Sequence, residues 1–337
     1  MDLSRQYKRR IANKLLFIFI LGIALAVISI ISINVGSSEM TVMESILTLL
    51  GKGSDKSKLI VFSIRLPRIL GGFFVGIGLA LSGMIIQSSL NNPLASTIGI
   101  SAASALGANI AIISFTAFGL KSSSLITAVC SFAASILCMI LVIAISNLKG
   151  GDKTKVILGG VALNAFFSAI TIIIQYFADE VKLAAAVAWT FGDLGRINYE
   201  ETKLVMAVSV LSSIIVYVYR WKMNAMDSGE QVAHSLGVNT VYMRNLSIFL
   251  AAFNTGICVA FVGMIGFVGL LAPQMTKRVI GEDKRFMIPG TILMGAFIVL
   301  FSDTVARTIA SPLVLPVGAV TSIIGAPVFG YILLKES

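Results

Sequence analysis

The chain has 337 residues, of which 57% are hydrophobic and only 12% charged, with a mean hydropathy of +0.94. Soluble domains carry about 25% charged residues, so a water-soluble fold is excluded and an all-α polytopic membrane protein is expected. The net charge of +10 does not point to nucleic acid, because the basic residues sit mostly at the ends of apolar runs and no basic patch is interleaved with aromatics.

The N-terminal stretch MDLSRQYKRRIANK leads into an apolar run from Leu15 to Ile33. That run is too long for a signal-peptide core and no small-residue cleavage site follows it cleanly, so a retained first span is expected. A span needs roughly 20 apolar residues to cross about 30 Å of hydrocarbon at 1.5 Å per residue. On that measure the sequence predicts about ten spans: 15–34, 64–90, 95–115, 124–148, 155–178, 203–220, 242–262, 264–280, 288–308 and 315–334. The third and eighth are diluted by glycine and polar residues. The longest polar connections are 35–63, 179–202 and an island from Arg220 to Arg244.

With the N-terminus inside, 16 of the 26 Lys and Arg fall on the inner side and 10 on the outer side. The positive-inside rule then places both termini and the island in the cytoplasm. Cys130, Cys138 and Cys258 lie inside apolar runs without metal-type spacing and read as small buried hydrophobes. The high glycine content suits close helix packing in lipid, and Gly71, Gly72, Gly76, Gly78 and Gly83 fall in one span. Gly83-Met84-Ile85 followed by Pro93 is matched by Gly263-Met264-Ile265 followed by Pro273. If spans 2–5 and 7–10 are repeats, they run in opposite senses, as in many transporters.

Several chemistries are missing. No phosphate-binding G-x-x-x-x-G-K-[ST] loop, H-E-x-x-H zinc motif or G-x-S-x-G elbow occurs, and the single His234 cannot build a metal site alone. No catalytic residue, metal or cofactor is therefore expected. Asp303 is the only acid placed near a span interior; a proton- or sodium-driven carrier usually needs more such groups.

Three places carry the functional reading. Arg65 and Arg68 open the second span on the outer side, against the charge bias, and Arg307 lies at the outer end of the ninth. They suggest a basic site that meets a partner's carboxylates, or arginines that merely snorkel to the interface. The second span ends on the inner side at Asn91-Asn92-Pro93, which breaks a helix. In the island, Ser228 with Gln231 forms a capping-box pattern, Val232, Ala233 and Leu236 give one apolar face, and Gly237 ends the helix.

The chain resembles the FecCD-type permeases of ABC importers, which carry ferric siderophores, haem or cobalamin. The matching stretches are RLPRIL (65–70), LALSGMIIQSSLNNPLA (79–95), GISAASALGA (99–108), LGGVAL (158–163), GEQVAHSLGV (229–238), IGFVGLLAP (265–273), Ser302 to Arg307, and LPVGAVTSIIGAPVF (315–329). They run in family order from about residue 60 to the C-terminus.

The resemblance implies a type II permease fold of ten spans in a single domain, 1–337, with a coupling segment at 222–241. It also implies a second permease subunit, two separate cytoplasmic ATPases and an extracytoplasmic binding protein, all at the cytoplasmic membrane of a prokaryote. By position, Gly229, Glu230, Ala233, Ser235, Leu236 and Gly237 match the coupling helices that sit in a cleft of the ATPase. Arg65, Arg68 and Arg307 match positions that dock the binding protein, and Asn92 and Leu94 match the inner constriction. Lys153 and Thr154 lie in the loop that forms a second part of that gate. One departure is Ala272-Pro273-Gln274, where the family commonly has His after the Pro; Gln keeps hydrogen-bonding capacity but does not titrate.

The expected function is the permease subunit of an ATP-driven importer for a bulky iron chelate, with haem or cobalamin as alternatives. A stand-alone secondary carrier is the alternative of another class, and an intramembrane enzyme is remote.

Overall fold

The 25 residues from Leu66 to Leu90 carry no charge beyond Arg68 in their first turn, and they form the central helix of the protein. In the computed structural model, which describes residues 3–35, 40–93, 95, 99–115, 123–147 and 153–334, the helices in chain order are α1 (Leu3–Asn34), α2 (Val42–Leu49), α3 (Asp55–Lys58), α4 (Leu66–Leu90), α5 (Ile100–Asn109), α6 (Ser124–Asn147), α7 (Lys153–Tyr176), α8 (Glu180–Thr190), α9 (Tyr199–Val218), α10 (Arg220–Asp227), α11 (Glu230–Ser235), α12 (Thr240–Val262), α13 (Val268–Ile280), α14 (Lys284–Thr308) and α15 (Val317–Leu334). Wider π-helical turns at Leu59–Arg65 and Ile110–Phe115 lead into α4 and out of α5.

Seven helical segments among the described residues are long and apolar enough to cross a bilayer, and Ile100–Phe115 and Val317–Ile332 are shorter apolar helices. The expected eighth span, 264–280, is corrected to the thirteen residues of α13. At 1.5 Å per residue that helix is about 20 Å long, short of the ~30 Å hydrocarbon core. The cause is local. Gly263 ends α12 with φ +76°, residues 263–266 are non-helical, and Phe267 adopts a left-handed conformation, φ 64°. Two expected connections are also helical: the 35–63 segment holds α2 and α3, and 179–202 holds α8, capped by the Asp179 carboxylate accepting from the Lys182 amide.

Helix α4 is buried along most of its length, whereas α1 and α7 expose most of theirs, as helices facing lipid would. It packs against α14, α12, α13 and α9. Two glycines make this possible. A Cβ on Gly76 would meet the Gly295 carbonyl of α14 at 2.5 Å, and one on Gly83 would meet the Gly269 carbonyl of α13 at 1.8 Å. Backbone-to-backbone approach of this kind is how apolar helices gain contact in lipid, where hydrophobic burial alone gives little.

The packing has an internal symmetry. Helix α4 lies against α14 and α13 as α12 lies against α6 and α5, and the α5–α7 pairing is matched by α13–α15. This agrees with a repeat relating α4–α7 to α12–α15. The short sequence match behind that expectation does not superpose locally, however: Gly83 is inside α4, whereas Gly263 is the residue at which α12 stops.

Candidate coupling and gate site

The end of the bundle bearing the start of α1 and the island is the inner end by the charge rule. The island forms two short helices, α10 and α11, rather than one. Met223 and Met226 of α10 are buried against Leu81, Met84 and Ile85 of α4 and Met287 and Ile288 of α14. The island is therefore packed onto the inner end of the central helix.

The expected capping box is corrected. Ser228 closes α10, its hydroxyl donating to the Asn224 carbonyl at 3.4 Å, and Gly229, at φ +105°, precedes α11 without a side-chain cap. The single apolar face is corrected too. Ala233 is fully buried in the subunit's own core, while Val232 and Leu236 are 45% and 66% exposed. Neighbouring helical residues point about 100° apart, so Ala233 and Val232 cannot share a face, whereas positions four apart do. Glu230 turns inward, 3.1 Å from the buried Arg244 guanidinium, which also donates to the Ser146 hydroxyl at 2.9 Å. Ser235 is exposed and its hydroxyl donates to the Val232 carbonyl at 2.8 Å.

Gly237 stops α11 at φ +78°, with the Val238 amide reaching back to the Ala233 carbonyl at 3.0 Å. A Cβ there would meet no atom within 4 Å, so the cost of a side chain is backbone strain alone. Gly237→Ala is expected to weaken this turn by about 1–2 kcal/mol, read as faster amide hydrogen exchange over residues 230–238 with little change in global unfolding.

The end of α4 faces the island. Asn91 takes the left-handed conformation, φ 48°, and the Asn92 amide donates to the Gln87 carbonyl at 3.0 Å, closing the helix as expected. One turn earlier, the Ser88 hydroxyl donates to Asp227 Oδ1 at 2.5 Å. Asp227 Oδ2 lies 2.7 Å from Lys284 Nζ, whose side chain is 3% exposed. The Lys284 amide in turn donates to Asn224 Oδ1 at 2.9 Å. Asp227 thus joins three elements: the last residue of α10, the last turn of α4 and the first turn of α14.

Gln274, the residue that departs from the A-P-H pattern, is buried and donates to Gln87 Oε1 at 2.7 Å and to the Pro93 carbonyl at 3.4 Å. It holds the turn after α4 through hydrogen bonds and needs no charge. A cavity of about 60 Å³ lies among Gln87, Ser88, Asn92, Asp227, Gln274 and Lys284. At its rim, the hydrogen bond from Lys277 holds the Glu282 carboxyl below the usual range. Leu94 lies outside the described residues. Lys153 begins α7 and Thr154 is exposed in its first turn.

A second cavity, of about 290 Å³, lies between α4, α5, α7, α15 and the start of α13, with Leu79, Ser101, Asn164, Phe267 and Ser322 on its wall.

At the outer end the three arginines are placed differently from expectation. Arg65 and Arg307 are 4% and 6% exposed, and the Arg68 side chain 11%. Asp303 is fully buried between two of them, accepting from Arg68 Nε at 2.9 Å and lying 3.0 Å from Arg307 Nε. Arg307 Nη1 donates to the Val35 carbonyl at 2.6 Å and Arg65 to the Ile33 carbonyl, so both also hold the end of α1. Asp193 adds a contact to Arg68 at 3.3 Å. These groups brace α1, α4 and α14 to one another. The three arginines are therefore not an exposed basic patch: burying two guanidinium groups needs a carboxylate, and Asp303 supplies it.

The model of the FecCD transport family matches residues 24–335. The chain belongs to that family. Among curated relatives of this FecCD chain, a Methanocaldococcus jannaschii protein described as an ABC transporter permease is 42% identical, over 99% of each chain. The Fe(3+)-citrate import system permease YfmE of Bacillus subtilis is 36% identical over 98% of each. The molybdate import system permease MolB of Haemophilus influenzae is 32% identical over 94% of this chain and 95% of that one. A solved inward-facing ABC transporter, described as of the metal-chelate type, superposes with a TM-score of 0.82 at 31% identity, over 96% of this chain and 99% of that one.

Sequence reasoning missed Ser88, Asp227 and Lys284 in this FecCD chain. One signal was available: Asp227 is one of only two acids in the polar island. Nothing local in the sequence names its partners, which lie 139 residues before it, at Ser88, and on α14.

Proposed function

We propose that this chain is the membrane-spanning permease subunit of an ATP-driven importer for a bulky metal chelate, with a ferric siderophore as the favoured cargo. It pairs with a second permease subunit, receives ligand from an extracytoplasmic binding protein and is moved by two separate ATPases. It sits as one transmembrane unit in the cytoplasmic membrane of a prokaryote, both termini cytoplasmic, with 222–241 as the coupling segment.

The observation that carries this reading is the construction of the island. Its inner face is packed on α4 and α14, while Val232 of α11 and Leu236, the residue that caps it, stand exposed. A chain without a phosphate-binding loop needs such a surface to receive the ATPase's motion. Docking then rests on the Val232/Leu236 stripe and Ser235, and Glu230, Ala233, Gly229 and Gly237 hold that stripe in place. Asn92, Leu94, Lys153 and Thr154 form the inner constriction in this reading, and the cavity beside Asn164 and Ser322 lies on the substrate path. The braced outer end around Arg65, Arg68 and Arg307 supports the face on which the binding protein sits.

The iron reading is favoured by the ferric-citrate relative and by the metal-chelate transporter of the same fold. Haem, cobalamin and, from the molybdate relative, an oxyanion are the competing cargoes. Thermal stabilisation of the cognate binding protein separates them: ferric siderophores are expected to stabilise it, and stabilisation by cobalamin or molybdate alone would overturn the iron assignment.

Leu236→Asp is expected to abolish co-purification with the ATPase and to lower ATP-driven uptake in proteoliposomes at least tenfold, with the permease still folded. Intact assembly and uptake in that variant would sink the docking surface. Uptake by the wild-type chain without any ATPase would favour the stand-alone carrier.

A further inference from the structure

On the lipid-facing side, between α4, α9 and α14, runs an open groove of about 370 Å³ whose wall includes Ile77, Val210, Ile214, Tyr217, Pro289 and Ile292. Its one hydroxyl away from the mouth, Ser213, is already donated to the Ser209 carbonyl at 2.6 Å. The groove therefore offers water nothing and offers an alkyl chain a continuous apolar wall. From Val210 to Val218 the wall rises about 12 Å at 1.5 Å per residue, close to the ~15 Å depth of one leaflet, half the hydrocarbon core.

The inner end of the groove, at Tyr217 and Val218, is its mouth in this reading, and the residues around it are basic and aromatic. The Arg220 guanidinium lies 4.4 Å from the Tyr217 ring centroid and 5.6 Å from that of Trp221, and Arg285 stands on the same Trp221 ring at 5.3 Å. Trp221 is 56% exposed. Arg285 is neutralised by Asp283, at 2.6 Å. Arg220 forms no ion pair among the described residues; its Nη1 donates to the Tyr217 carbonyl at 2.8 Å, and its Nε is buried without a partner. A cation held at the membrane interface over aromatic rings, without a carboxylate, at the head of an acyl-sized groove, is complementary to a phosphate on a two-part amphiphile.

We infer that an anionic phospholipid of the inner leaflet is a structural ligand of this protein, with an acyl chain in the α4/α9/α14 groove and its phosphate at Arg220. Bound there, it bridges the first turn of α10 to the inner ends of α9 and α14, and so steadies the base of the island. The inference rests on the chain spanning a membrane and not on the transport reading.

The test uses the full chain in nanodiscs of equal phosphatidylglycerol and phosphatidylcholine, extracted into mild detergent and weighed by native mass spectrometry. Retained phosphatidylglycerol is expected to exceed phosphatidylcholine at least fivefold. Arg220→Gln, which removes the cation, and Ile214→Trp, which fills the groove, are each expected to erase that preference. Lys203→Gln removes an exposed charge at the other end of α9 and is expected to leave it intact. Equal retention of the two lipids by the wild-type chain would overturn the proposal even if a variant failed to fold. So would an unchanged preference in Arg220→Gln, or loss of a dimer instead of lipid in Ile214→Trp, which would put a second copy in the groove.

Discussion

Asp303→Ala is expected to destabilise the protein by about 3–5 kcal/mol, the usual consequence of removing one partner from a buried ion pair. The carboxylate is fully buried and faces Arg68 on one oxygen and Arg307 on the other. Without it, two guanidinium groups would remain packed between α1, α4 and α14 with no carboxylate between them. Asp193 cannot replace it, because it reaches only Arg68, at 3.3 Å, and its own side chain is 42% exposed. The measurement is thermal unfolding in detergent together with the yield of monodisperse protein, both of which should fall sharply. Replacing all three residues with apolar side chains of similar size is expected to recover much of the loss, since the penalty lies in the unpaired charges and not in the missing bridge. A small shift for Asp303→Ala would mean that water reaches this end of the bundle.

Asp227→Ala is expected to separate motor from gate. The residue ties the island to the inner end of α4 through Ser88 and to α14 through Lys284. Its loss leaves the Lys284 ammonium buried without a carboxylate, while the exposed Val232/Leu236 stripe is untouched. The complex should therefore still assemble and hydrolyse ATP, while uptake into proteoliposomes falls more than tenfold. Lys284→Met alone removes the ammonium and leaves Asp227 with Ser88 only; the Asp227→Leu/Lys284→Met pair removes both charges together. If the pair acts as a mechanical link, the double variant should regain stability but not uptake, and a double-mutant cycle on uptake should show strong coupling. Full uptake in the double variant would make the pair a packing feature only.

The two results draw on different layers of information. Hydropathy is a property of short windows, so composition and run length alone placed this chain in a membrane and located most of its helices. The charge asymmetry assigned a side to the island, and ordered motif matches identified the family. Helix ends were legible where one residue type decides the backbone: Asn91 and Gly237 both take left-handed conformations that close the helices before them. The eighth span was misread at its start because Gly263 to Phe267 are apolar enough to look like span, while their backbone leaves the helix.

Side-chain partnership was not legible. Arg68 and Asp303 are 235 residues apart, and no local pattern distinguishes an arginine waiting for a partner protein from one already satisfied inside the fold. With α4 and α14 in contact at Gly76 and Gly295, Arg68 and Asp303, eight residues away along each helix, come within reach of one another. The island shows the same division. Its composition determined that it is polar and helical, because those follow from residue type and spacing. Only the tertiary structure decided that Ala233 and Glu230 face the subunit, that Leu236 faces outward and that Asp227 reaches Ser88 of α4 and Lys284 of α14. Which side of a short helix is inside depends on the surface it lies on, and that surface is built from α4 and α14, distant in sequence.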